Sequence, residues 1–281
     1  MGIWEVLGNH FLMGWLSPKA RRVLISFLLC IQCVFSRVAW LLGPVCVVVA
    51  FVLIFGITFV HVSTVLPHYC SGSYFGLPSA LHIIFSAWMA FNLPFNYLMC
   101  IFTPPGSPPK VGRKEHSAAQ MSHLLLSQGP VDVSQMTEEE EWDYCKRCES
   151  IKPDRAHHCT VCNRCVLRMD HHCPWMANCV GHYNYKYFVL FLLYMTLSCI
   201  YVTTVTGLPT EYGGLPSRLT VPYIGRGAVE FSMIICCSIA VAVGGMLLWH
   251  LFLIATQQTT IEFYQNSVMR GEAAKQGLVR Y

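Results

Sequence analysis

The chain has 281 residues, 54% of them hydrophobic and only 12% charged, and its mean hydropathy is +0.46. That balance excludes an ordinary soluble domain and describes an integral, multi-pass membrane protein. The net charge of +4 follows membrane sidedness and gives no case for nucleic acid, and no P-loop or Rossmann glycine pattern is present.

In chain order, residues 1–42 read as a cytosolic N-terminal segment. Met1 to Pro18 lacks the basic start, continuous apolar core and small-residue site of a cleavable signal, and Val6 argues against myristoylation of Gly2. Val23 to Phe35 is apolar but short, follows Arg21-Arg22 and runs into Arg37. It predicts an interfacial helix, whereas a fifth span there would invert the N-terminus. Four apolar stretches approach or exceed the ~20 residues that cross a bilayer core: Gly43 to Leu66, Ser79 to Phe102, Tyr187 to Thr206 and Phe231 to Ala255. The helices therefore occupy 43–102 and 187–255. Between them lie a polar linker, 103–141, with Pro104, Pro105, Pro108 and Pro109 and the acidic run Glu138 to Glu141, and a cysteine-rich segment, 142–186. A tail, 256–281, completes the chain. No internal repeat stands out.

Ten Lys and Arg fall in 103–186, four before residue 43 and three after residue 255, against two in 207–230 and none in 67–78. The positive-inside rule then puts both termini and the cysteine-rich segment in the cytosol. A reducing cytosol is also where free and metal-bound thiols persist. Within the spans, Asn92 and Asn96 bracket Pro94, Ser198, Thr203 and Thr204 line the third stretch, and Gly244-Gly245 sits in the fourth. Interhelical hydrogen bonding and close helix packing are the expected uses.

Residues 145–182 concentrate seven of the 15 cysteines and five of the 12 histidines. The spacing is Cys145-x2-Cys148, then His158-Cys159-x2-Cys162-x2-Cys165, then Asp170-His171-His172-Cys173, then Cys179. Two C-x2-C pairs with further Cys and His predict two closed tetrahedral zinc sites of four ligands each. Seven cysteines cannot fill two all-thiolate sites, so at least one His must bind; if each site takes one His and three Cys, one thiol is spare. Cys173 is the candidate, because a base and a group to orient that base stand just before it. In an extended segment His171 shares a face with Cys173 while His172 points away, so one imidazole can serve the thiol and the other the metal. His157 could replace His158 by a one-residue slip, and His182 reads as a packing residue.

The segment from Cys145 to Phe188 resembles the cysteine-rich domain of the DHHC protein S-acyltransferases (palmitoyltransferases), through Asp170 to Cys173, Cys-Pro-Trp at 173–175, Cys179-Val180-Gly181 and Asn184 to Phe188. Two weaker marks flank it, Thr103-Pro104-Pro105-Gly106 and Thr259-Thr260-Ile261-Glu262. The resemblance implies an α-helical membrane protein with four transmembrane helices and a small cytosolic zinc-binding domain of short β-hairpins and loops between helices 2 and 3. It implies one structural Zn2+ on Cys145, Cys148, His158 and Cys165 and a second on Cys159, Cys162, His172 and Cys179. Cys173 would be the acyl-accepting nucleophile, His171 its base and Asp170 the residue that holds the imidazole, with Thr260 touching Asp170.

The implied reaction takes a fatty acyl group, such as palmitoyl, from acyl-CoA onto Cys173 and passes it to cysteines of cytosolic or membrane-associated proteins. The acyl chain would lie in the bilayer beside Trp175. Ser198 falls near the depth at which family members close the acyl cavity, and its small side chain would leave room for chains longer than palmitoyl. The endoplasmic reticulum or Golgi is the expected membrane. Two departures stand out. Ala177 occupies a position where the family commonly has Asn, and the chain stops at Tyr281 near where relatives continue into an Asn-Pro-Tyr type segment, which reads as a truncation. The competing class is a zinc-stabilised membrane scaffold without acyl transfer; a RING-type module is disfavoured because the last interval is Cys173-x5-Cys179.

Overall fold

The computed structural model describes residues 18–69, 76–108, 144–207 and 226–276. Residues 1–17, most of the polar linker, the loops at 70–75 and 208–225 and the end of the tail lie outside the described residues. In order, the elements are α1 (Pro18–Val60), a π-helical turn (His61–Val65), α2 (Leu66–Tyr69), α3 (Leu77–Phe102), six short strands, α4 (Tyr185–Gly207), α5 (Arg226–Ala255) and α6 (Thr260–Lys275). The described residues are mostly helical, and among them four helical stretches are long and apolar enough to cross a membrane: Ser36–Tyr69, Leu77–Phe102, Tyr185–Gly207 and Gly227–Ala255. They fit a multi-pass membrane protein, with the cysteine-rich hairpins between the second and third.

One boundary differs from the reading above. The apolar segment at 23–35 and the first span form a single unbroken helix from Pro18. Proline is favoured at a helix's first position, where its missing N–H is no loss. No helix breaker follows until Gly43-Pro44, and there the helix continues through Pro44, at the cost of one backbone bond.

The chain divides into two compact units. The one containing residues 44–103 and 184–257 is a helical bundle with aromatic and cysteine contacts at its centre. Tyr97 packs on Phe51 and Phe191, and Cys199, Val202 and Cys236 form a buried cluster. Its buried polar groups are largely paired across helices: His61 Nε2 lies 3.1 Å from Ser86 Oγ, His82 Nδ1 lies 2.8 Å from Tyr201 OH, and Tyr69 OH donates to the Val205 carbonyl. Asn92 and Asn96 behave otherwise. Each donates to a carbonyl of its own helix, Trp88 and Asn92 respectively, because a side-chain amide can reach back one turn. Thr204 likewise bonds Ile200. A methyl group at Gly244 would sit 3.4 Å from Thr196, so this glycine permits close approach of α4 and α5.

The other unit contains residues 1–43, 104–183 and 258–281. Its centre is three antiparallel hairpins: β1 (Tyr144–Cys145) with β2 (Ser150–Ile151), β3 (His157–Cys159) with β4 (Arg164–Val166), and β5 (His171–Cys173) with β6 (Asn178–Val180). The registers pair Cys145 with Ser150, Cys159 with Arg164 and Cys173 with Asn178. Each pair repeats the previous one fourteen residues on, so an internal repeat is present after all. Its turns repeat too, with Glu149, Asn163 and Ala177 all left-handed at φ 50, 50 and 46. The repeat escapes a sequence reading because Tyr144 and Ile151 replace His and Cys in the first copy and Met176 replaces Cys in the third. Ala177, like Glu149, is costly at this position, since Asn and Gly tolerate that backbone region far better. Its side chain faces α1, where a methyl group on Gly43 would come within 3.1 Å of the Ala177 Cβ.

Among the described residues, one buried apolar cluster of this unit comprises Cys159, Val166, Met169 and Cys179, with Val161, Cys162 and Ile261 packed against it. Residues 104–106 run along its edge. Gly106 accepts from Leu167 N, and Pro105 accepts from Tyr183 N. A methyl group at Gly181 would meet Val166 Cγ1 at 2.8 Å and the Leu167 carbonyl at 2.9 Å, which explains glycine in the Cys-Val-Gly string.

Candidate active site and metal centres

The hairpins contribute to the metal centres in two ways, through the thiols of a turn and through a cross-strand pair, and only the second hairpin does both. Cys145 and Cys148 of the first turn meet the pair His158 and Cys165 from the second hairpin. Cys159 and Cys162 of the second turn meet the pair His172 and Cys179 from the third. In each cluster the four donor atoms lie within 4.8 Å of one another. His158 Nδ1 is 3.5, 3.2 and 3.9 Å from Cys145, Cys148 and Cys165 Sγ, and Cys148 and Cys165 Sγ are 3.6 Å apart. His172 Nδ1 is 3.8, 3.4 and 3.6 Å from Cys159, Cys162 and Cys179 Sγ, and Cys162 and Cys179 Sγ are 3.5 Å apart. A tetrahedral ion with zinc-like bonds of about 2.0 to 2.3 Å sets ligand separations near 3.3 to 3.8 Å. Both clusters could therefore hold a metal ion, and their three-sulfur, one-nitrogen sets suit zinc better than a hard cation. His157, the alternative ligand, belongs to neither cluster. His182 stacks edge-on with Tyr183.

The repeat also explains the spare thiol. Cys173 occupies the position that Cys145 and Cys159 hold in their own hairpins. A third site would need a thiol at 176 and a further His and Cys at 186 and 193, where the chain has Met176, Lys186 and Leu193. Cys173 is thus a ligand position whose site was never completed. It is buried, and its Sγ belongs to neither cluster.

Around that thiol the strand alternation does the sorting. His172 turns into the second cluster, and His171 is hydrogen-bonded to both Asp170 and Cys173. His171 Nδ1 lies 2.7 Å from Asp170 Oδ2, so Nδ1 donates to the carboxylate and Nε2 is the nitrogen left to accept a proton. Burial pushes the imidazole below its ordinary value, but the bonds to Asp170 and Cys173 outweigh that and hold it up to about 9. A carboxylate and a sulfur beside one imidazole favour its charged form.

Asp170 is only 1% exposed, and its oxygens are placed by the tail. Thr260 N donates to Oδ1 and Thr260 Oγ1 to Oδ2, both at 2.9 Å. These bonds use the first turn of α6, whose dipole favours a carboxylate. Trp175 lies in the 3-10 turn Pro174–Met176 after the thiol and is 53% exposed. Ser198 lies within α4, and its hydroxyl is buried with no hydrogen-bond partner among the described residues.

A sequence reading misses Arg155 and Glu262. Arg155 forks onto Glu262, with Nη2 2.7 Å from Oε2 and Nε bonded to Oε1. The two are 107 residues apart, and the only signal was the match of Thr259 to Glu262 with a family mark.

Comparison with known proteins agrees with the geometry. The family model described as DHHC palmitoyltransferase matches residues 138–267. Similar proteins include the palmitoyltransferase pfa3 of Aspergillus fumigatus, 39% identical over 66% of this chain and 33% of the relative. The palmitoyltransferase ZDHHC2 of Mus musculus is 31% identical over 70% of this chain and 55% of its own length. The palmitoyltransferase ZDHHC15 of Rattus norvegicus is 34% identical over 69% and 58%. The chain thus spans between a third and about three fifths of the length of these relatives. The stretch that matches the DHHC palmitoyltransferase model thus encloses both metal clusters, the Asp-His-His-Cys strand and the start of the tail helix, and residues 138–267 are similar to the DHHC domain of these palmitoyltransferases.

Proposed function

We propose that the protein is a protein-cysteine S-acyltransferase that carries a fatty acyl group on Cys173. The observation that carries this reading is that, of the seven cysteines between 145 and 179, Cys173 alone stands outside the metal clusters and beside an imidazole held by a buried carboxylate. Two structural zinc ions on the eight clustered residues would order a segment whose strands are two or three residues long; closed four-ligand sites have no open position for chemistry.

His171 Nε2 takes the Cys173 proton as the thiolate attacks the acyl carbonyl of a fatty acyl-CoA. The carbon–sulfur bond to CoA breaks, and the departing CoA thiolate takes the proton back. The thiol of a substrate protein then gives its proton to His171 and attacks the Cys173 thioester, which frees Cys173 again. Asp170 stabilises the imidazolium in both halves. The acyl chain lies in the bilayer beside Trp175, and CoA stays in the aqueous phase. Both termini and the hairpin domain face the cytosol, in the endoplasmic reticulum or Golgi membrane. The acceptors are cytosolic or membrane-associated proteins with exposed cysteines.

Purified protein mixed with labelled acyl-CoA, without an acceptor, should release one equivalent of CoA in a burst and retain one hydroxylamine-sensitive acyl group. Adding a cysteine-bearing acceptor should discharge it. A chain that binds zinc yet releases no CoA would leave only the scaffold reading.

For chain length, the small Ser198 side chain supports a deep cavity. At ~0.8 kcal/mol per buried methylene, room for two more carbons shifts preference by about tenfold. Stearoyl-CoA should compete well with palmitoyl-CoA, and Ser198→Phe should move the preference to shorter chains. An unchanged length profile would remove Ser198 from the site.

A further inference from the structure

The tail helix does more than touch Asp170, because its first turn is itself held in place by two residues that no step of the chemistry uses. Thr259 is the N-cap of α6, and its side chain accepts from Glu262 N. Glu262 returns the bond, Oε2 accepting from Thr259 N at 2.7 Å. This reciprocal capping box fixes the rotamer of Glu262. The same carboxylate receives the Arg155 guanidinium through two bonds, a bidentate pairing that a planar fork makes and an ammonium cannot.

Arg155 is tied to the active strand in turn. Its backbone is left-handed at φ 63, and its carbonyl accepts from Met169 N at 3.2 Å, one residue before Asp170. Ile261, between Thr260 and Glu262, packs on the core of Cys159, Val166, Met169 and Cys179. The contacts form a closed ring: Asp170 to Thr260, along the first turn of α6 to Glu262, across to Arg155, and through the Arg155 carbonyl to Met169 and back to Asp170.

We infer that Arg155 and Glu262 are a positioning pair for acyl transfer: their fork locks the first turn of α6 so that Thr260 holds Asp170, and Asp170 holds His171, at the geometry the Cys173 thiol needs. This rests on the proposed S-acyltransferase reading. The pair is partly exposed, with side-chain accessibilities of 36% and 19%, so its contribution to overall stability is small. Its effect is on alignment, to which rates are far more sensitive than stability is.

The test is the rate of Cys173 acylation in Arg155→Ala, Glu262→Ala and Glu262→Gln, with zinc content and acyl-CoA affinity measured on the same preparations. Glu262→Gln retains the capping box and removes the negative charge that faces Arg155, so it remains usable if Glu262→Ala does not fold. Rates should fall about 10- to 100-fold, with two zinc ions retained and acyl-CoA binding unchanged. Arg155→Lys should rescue only part of the rate. If the pair acts through Thr260, then Glu262→Gln should cost little further in a Thr260→Ala background. A wild-type rate in Glu262→Gln and Arg155→Ala would overturn the proposal, as would a loss fully additive with Thr260→Ala. A wild-type protein that forms no acyl adduct would instead refute the acyltransferase reading.

Discussion

Cys148→Ala and Cys162→Ala are each expected to abolish accumulation of folded protein, and chelation of the purified wild type should unfold its hairpin domain. The reason is the balance of forces in that domain. Its strands are two or three residues long, and two of the four buried residues of the cluster around Val166, Cys159 and Cys179, are themselves metal-cluster residues. Metal binding of about 10 to 16 kcal/mol in small zinc modules exceeds what such a cluster supplies. Because each cluster joins adjacent hairpins, loss of one thiol uncouples two hairpins at once. Elemental analysis should give two zinc ions per wild-type chain. A single zinc, or stable two-zinc protein from either variant, would show that the ligand allocation is wrong.

The adjacent histidines give the second large effect, because strand alternation separates their functions. His171→Ala should retain both zinc ions and slow Cys173 acylation by about 10²- to 10⁴-fold, the range for loss of a positioned general base. His172→Ala should lose the second zinc and with it the fold of the third hairpin, so its activity disappears together with the protein. Zinc loss in His171→Ala would exchange the two roles and contradict the placement of His172 Nδ1 against three thiols.

The parts of this architecture that depend on local pattern were legible in the sequence. Span positions follow from apolar length alone, and the C-x2-C spacing announces the two Cys/His clusters that could hold metal. Alternation along β5 was enough to divide His171 from His172. Continuity of α1 was not legible, since Gly43-Pro44 reads as a boundary although a membrane helix accommodates proline. Asn92 and Asn96 bond within their own helix because amide reach, which composition does not encode, decides the partner. The fourteen-residue repeat was hidden by substitutions at one or two positions per copy, and only the shared register and left-handed turns expose it. Arg155 and Glu262 could not be paired from a distance of 107 residues, since nothing local to either one names the other.

The most direct measurement is the site of the acyl group. Intact-protein and peptide mass spectrometry after incubation with palmitoyl-CoA should find one hydroxylamine-labile acyl group on Cys173 of the wild type. Cys173→Ser should carry none while retaining two zinc ions. Acylation that persists on another cysteine of Cys173→Ser at the wild-type rate, or loss of zinc from that variant, would contradict the assignment of Cys173 as the thiol left free by the two metal centres.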